Sequence, residues 1–242
     1  VSRKKKAERE HRGILRDYGL AIGGSILVAL FIRFFVLEAY RMPSRAMQPT
    51  VEPGDTLFVA KYAYGFRVPG ATKRIVEKSP KYGDVVVLEF VDEPGREYIK
   101  RVVALPGDRV QFTRGGLVLN SVSAGSVSPE APKGTAPDVT ASELCAKESL
   151  PNAKSYEVCF EPPLFAIEKE ITVPPGQVYV VGDLRSMPFE TRRLKVGGLV
   201  PIERVKGRAL FVWLSIQPPG TTGAGGDWFS RVRFDRLFHK IR

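Results

Sequence analysis

The two histidines of this chain, His11 and His239, stand at its opposite ends. Neither has a candidate nucleophile beside it, and no cluster of imidazoles offers a zinc site. An enzyme built from this sequence takes its base from another residue type. Lysine is a candidate. In the run EYIKRVVALPGD, two-residue alternation puts Tyr98, Lys100, Val102 and Ala104 on one strand face. Burial among apolar neighbours disfavours an ammonium and lowers a lysine's pKa, which frees its lone pair for base chemistry near neutral pH. Most strand lysines simply reach solvent, so alternation alone does not decide between the two.

Two further stretches carry polar groups at fixed positions. MPSRAMQPTVEPGDTLFVAKY holds Pro43, Pro49, Pro53 and a Gly54-Asp55 turn, a rigid non-helical run. It reads as a platform for a reactive group or as a structural linker. QVYVVGDLRSMPFETRRLKVGGLVP is a strand followed by a Gly-Asp turn in which Asp183, Arg185, Glu190, Arg192 and Arg193 could pair and fix a loop, or lie on a solvated surface. Cys145 and Cys159 close a short loop in an oxidising compartment, or stay as two buried thiols.

These segments must be positioned by the rest of the 242 residues, of which 43% are hydrophobic and 26% charged, as in a globular protein and unlike a disordered chain. The formal charge of +11 suits an anionic membrane or nucleic acid. Its distribution favours the membrane: Arg3, Lys4, Lys5, Lys6, Arg9, Arg12 and Arg16 crowd in front of the most apolar stretch. Residues 18–37 are interrupted only by Arg33 and, as a helix of about 30 Å, match a bilayer core. Three glycines weaken that helix, and a buried helix of a soluble domain is the alternative. The basic cluster predicts a cytoplasmic segment 1–17, a membrane-spanning signal-anchor 18–37 and an extracytoplasmic domain 38–242. The sequence EAYRMPS after the apolar run lacks a small-x-small cleavage site, so the anchor is expected to stay attached. Beyond it the chain is mainly β, with strands expected at Thr56–Tyr62, Asp84–Phe90, Tyr98–Leu105, Arg109–Thr113, Gln177–Val181 and Arg208–Ile216. A Ser, Ala, Pro and Gly stretch from Ser121 to Pro151 marks an inserted loop or subdomain near 114–170.

Taken together, the anchor and three motifs resemble bacterial type I signal peptidase, a membrane-bound serine protease with a Ser/Lys dyad. Pro43-Ser44-Arg45-Ala46-Met47-Gln48-Pro49-Thr50, then Gly54-Asp55, resembles its first motif; Tyr98-Ile99-Lys100-Arg101-Val102 with Leu105-Pro106-Gly107-Asp108 resembles the second. Gly182, Asp183, Arg185 and Arg192 keep part of the third. The resemblance implies an antiparallel β-sheet catalytic domain that cleaves signal peptides from secretory preproteins after small residues. It implies Lys100 as general base and an oxyanion hole made by Ser44 and the backbone N–H of residue 46. Substrate pockets would involve Tyr40, Met42, Met47, Val51, Val87, Tyr98 and Ile99. Gly182, Asp183, Arg185, Glu190, Thr191 and Arg192 would support the site, with no metal or cofactor. The location implied is a bacterial inner membrane crossed once, with the catalytic domain on the periplasmic side, lipid and preprotein as partners and no nucleic acid.

The nucleophilic serine of that family falls on Ala46, which has no hydroxyl. The retained motif residues favour a serine replaced to trap an inactive form; a natural, non-catalytic signal-peptide-binding paralogue is the alternative. In the third motif the family's serine and aspartate fall on Pro188 and Glu190, with Thr191 in place of another serine.

Overall fold

The structure, a computed structural model, describes residues 18–67, 74–75, 78–113, 116–125, 144–161, 169–186, 197–219 and 229–241. Residues 18–31 are α-helical and pass directly into a π-helical turn, Ile32–Val36. The Leu37 N–H bonds back to the Ile32 carbonyl, and the chain becomes extended there. Among the described residues no helix is long and apolar enough to cross a membrane. The helical side chains Leu20, Ile22, Ile26, Leu27, Val28, Leu30 and Phe31 are nonetheless exposed, as on a helix without an apolar partner.

Strand Leu37–Arg41 leaves this helix and pairs antiparallel with Asp55–Ala60. The prolines between them keep the connection out of helix, and Gly54 closes it. At φ +91° Gly54 occupies the left-handed region, and a Cβ there would lie 2.0 Å from the Ile216 carbonyl oxygen. Only glycine fits. Next to it, the fully buried Asp55 accepts hydrogen bonds from Ser215 Oγ (2.6 Å), Arg233 Nη2 (3.1 Å) and Arg236 Nη2 (2.6 Å). Burial alone lowers the Arg236 pKa, but its hydrogen bond and charge contact with Asp55 leave it raised.

Asp55–Ala60 belongs to an eight-stranded antiparallel sheet in the order Leu37–Arg41, Asp55–Ala60, Val205–Ser215, Val85–Glu89, Glu97–Ala104, Gln177–Val181, Gly197–Pro201, with His239–Lys240 also on Val205–Ser215. Val85–Glu89 is apolar on both faces because both are covered. Val85 and Val87 pack with Met42, Met47, Val51 and Leu57, while Val86 and Leu88 pack with Tyr64, Val102, Val178 and Val205.

A second lobe caps one end of this sheet. It contains a sheet ordered Ile171–Thr172, Arg109–Thr113, Gly116–Leu119, Val122–Ser123, and a second in which Tyr156–Glu161 lies between Leu144–Glu148 and Leu184–Ser186. Phe112, Leu117, Tyr156, Val158 and Phe160 pack there with Val103, Tyr179 and Val181 of the main sheet. The described residues between 114 and 170 thus include four strands, Gly116–Leu119, Val122–Ser123, Leu144–Glu148 and Tyr156–Glu161, which contribute Leu117, Leu119, Tyr156, Val158 and Phe160 to this core. Cys145 and Cys159, whose state the sequence leaves open, face each other across the last two of these strands and form a disulfide.

Candidate active site

Lys100 lies in strand Glu97–Ala104 opposite Val86, and only 3% of its surface is exposed. It lines a cleft of about 400 Å³ together with Tyr40, Met42, Ser44, Ala46, Val87, Tyr98 and Ile99. Arg41, Arg96 and Glu97 also line it. Of the residues expected in substrate pockets, Tyr40, Met42, Val87, Tyr98 and Ile99 reach this space. Met47 and Val51 are fully buried in the cluster shared by Met42, Val87 and Ile99.

The closeness of Ala46 and Lys100 depends on Gly182. A Cβ at that position would lie 2.3 Å from the Ala46 carbonyl oxygen and 3.4 Å from Lys100 Nζ. The first distance is well inside van der Waals contact, so the hydrogen of glycine is what lets these two segments converge. The Leu184 N–H then donates to the Ala46 carbonyl at 3.2 Å. Residue 46 is thus held by the third motif as well as by its own loop.

Arg101 and Asp183 form the other half of this frame. Arg101 Nε and Nη2 donate to Asp183 Oδ1 and Oδ2 at 2.8 and 2.6 Å, a two-point ion pair fully closed to solvent. Burial acts to lower the Arg101 pKa, yet the Asp183 charge and hydrogen bond leave it raised. Thr50 Oγ1 donates to Asp183 Oδ2 at 2.5 Å, and Arg101 Nη1 donates to the Gly83 carbonyl at 2.8 Å. One guanidinium therefore ties the strand of Lys100 to the loop of Ala46 and to the turn after Gly182. The sequence-level alternative of a solvated surface turn does not hold for Asp183 and Arg185, both of which are buried. Glu190, Thr191 and Arg192, together with Pro188, lie outside the described residues.

The cleft also holds two phenols. Burial, with smaller contributions from Glu38 and Glu97, raises the Tyr40 pKa, and its hydroxyl donates to Glu38 at 3.0 Å. Tyr98 is pushed up to about 12 by burial and by its hydrogen bond to Glu93. Both remain neutral donors at physiological pH. Among the described residues no group of three or more His, Cys, Asp or Glu side chains is arranged to hold a metal ion.

Glu148 and Tyr156 did not emerge from the motifs. They meet Arg185 in the buried space behind Gly182, with Arg185 Nη2 donating to Glu148 Oε2 at 2.8 Å and the Tyr156 hydroxyl donating to the same oxygen at 2.9 Å. Arg185 and Glu148 are 37 residues apart, and no local pattern announces such a pairing.

The family model described as signal peptidase, peptidase S26, matches residues 15–214. A signal peptidase I of Pseudomonas aeruginosa is 34% identical over 230 residues, spanning 90% of this chain and 78% of that protein. One from Pseudomonas fluorescens is 32% identical over 217 residues, spanning 85% and 75%. One from Rickettsia typhi is 27% identical over 242 residues, spanning 89% and 90%. With the match running from the start of the helix to the long strand Val205–Ser215, the chain belongs to the signal peptidase I family.

Proposed function

We propose that this fold, with serine at residue 46, is a membrane-bound endopeptidase that removes signal peptides from secretory preproteins, and that Ala46 leaves the present chain without a nucleophile. The observation that carries the reading is a buried lysine and residue 46 converging on Gly182 at the end of an apolar cleft. In the serine form the Oγ attacks the scissile carbonyl while the uncharged Lys100 amine takes its proton. The backbone N–H of residue 46 and the Ser44 hydroxyl donate to the oxyanion that develops. Collapse of this intermediate breaks the peptide bond, and Lys100 returns the proton to the leaving amine. Water then attacks the acyl-enzyme as Lys100 accepts its proton; collapse breaks the ester bond, Lys100 returns that proton to the departing serine Oγ, and the signal peptide's new carboxyl group loses its own proton to solvent. Every proton is accounted for by the serine, the lysine and water, so the step needs no metal or cofactor.

By resemblance to the family, the cleft's Tyr40, Met42, Val87, Tyr98 and Ile99, with Met47 and Val51 packed beneath, would take small side chains before the cut. An extended peptide can add itself beside the strand of Lys100 through main-chain hydrogen bonds. The apolar, exposed side chains of residues 20–32 suit lipid contact, and the basic residues before them favour an N-terminus on the cytoplasmic side. The strand leading to the cleft follows this helix without a linker, so the site would sit near the outer membrane surface, where signal peptides leave the bilayer. Resistance to alkaline extraction, and protection of the N-terminus alone from external protease, are the expected results for the anchor.

The central experiment is Ala46→Ser, assayed on a secretory preprotein with Lys100→Ala in the same background as control. Cleavage after a small residue, abolished by the control, is expected. Binding of signal peptides without cleavage in the Ala46→Ser form would instead support a non-catalytic, signal-peptide-binding paralogue.

A further inference from the structure

Glu148 has no part in the reaction just described, yet its surroundings lead straight to it. It ends strand Leu144–Glu148 in the second lobe and is 1% exposed. A buried carboxylate is costly unless paired, and Glu148 is paired with Arg185 in an ion pair closed to solvent. Arg185 in turn donates Nε to the Gly182 carbonyl at 2.6 Å. Gly182 lies close against the Ala46 carbonyl, and a Cβ on it would come within ordinary contact distance of Lys100 Nζ. The contacts therefore run without a break from the second lobe to the reacting pair.

A second route supports the first. The Tyr156 ring lies 4.0 Å from the Arg101 guanidinium carbon, and the Cys159 N–H donates to the Asp183 carbonyl at 3.0 Å. Two cations, Arg101 and Arg185, thereby balance two carboxylates, Asp183 and Glu148, in one dry cluster. Among the described residues, Glu148 Oε1 and Arg185 Nη1 have no hydrogen-bond partner. The described hold of Glu148 on Arg185 thus rests on a single oxygen, and losing it removes the guanidinium's described counter-charge behind Gly182.

We propose that Glu148 is a positioning residue for peptide-bond cleavage: through Arg185 it fixes the Gly182 carbonyl, and through Gly182 the spacing between residue 46 and Lys100. This rests on the Ser/Lys reading above. It makes the second lobe a working part of the active site, although its described residues supply no group to the cleft. Glycine has no side chain by which its peptide could be anchored, so the Arg185 contact orients it. Without Glu148 the guanidinium is free to turn toward other acceptors, and the Ala46 carbonyl moves with the Gly182 peptide.

The test compares Glu148→Leu and Glu148→Gln in the Ala46→Ser background, below the melting temperature of each. Misplacement on the order of 1 Å costs about 100-fold in turnover, so Glu148→Leu is expected to lower kcat by that order while KM changes by less than about twofold. Glutamine retains an acceptor of equal reach and recovers part of the loss. Adding Arg185→Leu to Glu148→Leu removes the uncompensated charge, and a solely structural pair would then regain both stability and kcat. Regained stability with kcat still low is the expected result, because the Gly182 carbonyl still lacks its donor. Unchanged kcat in Glu148→Leu, or kcat that follows stability through the double variant, overturns the proposal.

A separate measurement needs no catalysis. In the Ala46 chain, Glu148→Gln is expected to speed hydrogen exchange at the Leu184 amide, which donates to the Ala46 carbonyl, and to leave Val59 unchanged. Failure of Ala46→Ser to cleave would sink the Ser/Lys reading alone, whereas unaltered Leu184 exchange would sink the role of Glu148.

Discussion

Gly182→Ala adds one methyl group at the point where the two halves of the cleft meet. The added carbon would lie 2.3 Å from the Ala46 carbonyl oxygen, so that oxygen or Gly182 itself must retreat by about 1 Å to reach ordinary contact. Neither moves cheaply. The carbonyl accepts from Leu184 N–H, the Gly182 carbonyl accepts from Arg185, and the neighbouring Asp183 is fixed by Arg101. Relief by backbone shift costs about 1–3 kcal/mol, equivalent to a fall in melting temperature of roughly 2–12 °C for a domain this size. The effect on chemistry is larger. A displacement of that size between nucleophile and base costs about 100-fold in kcat, so in the Ala46→Ser background Gly182→Ala is expected to remain folded and to turn over about a hundredth as fast. Preprotein cleavage under single-turnover conditions, beside calorimetric melting, measures both numbers. A Gly182→Ala protein with kcat within about twofold of its parent would refute the argument that contact at Gly182 sets the geometry.

Asp183→Asn leaves the Arg101 guanidinium buried without its counter-charge and is expected to cost about 3–5 kcal/mol in urea unfolding. Replacing Cys145 and Cys159 together with serine opens the loop between them and is expected to cost about 3 kcal/mol relative to the oxidised protein; reductant added to the unaltered chain should lower stability to a similar extent. Tyr82 and Tyr98 are both pushed up to about 12, chiefly by burial and then by hydrogen bonds to Asp108 and Glu93. The folded state keeps those phenol protons where the unfolded chain loses them near pH 10, so their contribution is whole below about pH 10 and disappears as pH rises through about 12. Unfolding measured from pH 9 upward should show a steady loss of stability that Tyr98→Phe makes shallower.

The strands that the sequence announced most plainly are those whose residues face a single, unambiguous environment. Arg109–Thr113 and Gln177–Val181 occur at the residues expected. Asp55–Ala60 and Val205–Ser215 differ from expectation at their ends, where a 3-10 turn and early pairing with Val85–Glu89 intervene. Leu37–Arg41 was hidden because LEAYR follows an apolar helix without any turn residue, so the change from helix to strand has no local mark. Tyr156–Glu161 did carry a signal, the alternation of Tyr156, Val158 and Phe160 toward the core, but it followed a stretch dominated by Ser, Ala and Pro. In the cleft, Lys100 was legible as a lysine among apolar residues. Its approach to residue 46 was implied only by resemblance, since it depends on Gly182 some eighty positions away. The Glu148–Arg185 pair could not have been found by spacing, because a contact across two strands of a separate sheet leaves no periodic trace.

The clasp on Asp55 has a temporal side. Its outermost partner, Arg236, stands 181 residues later in the chain. A ribosome adding about 5–20 residues each second needs roughly ten to forty seconds to travel that distance. Throughout that interval the segment bearing residue 46 has been made but lacks the guanidinium that pins its turn. The turn is therefore latched only once Arg236 has been made, well after the first helix has emerged, and a product that stops before Arg236 would be left without this contact.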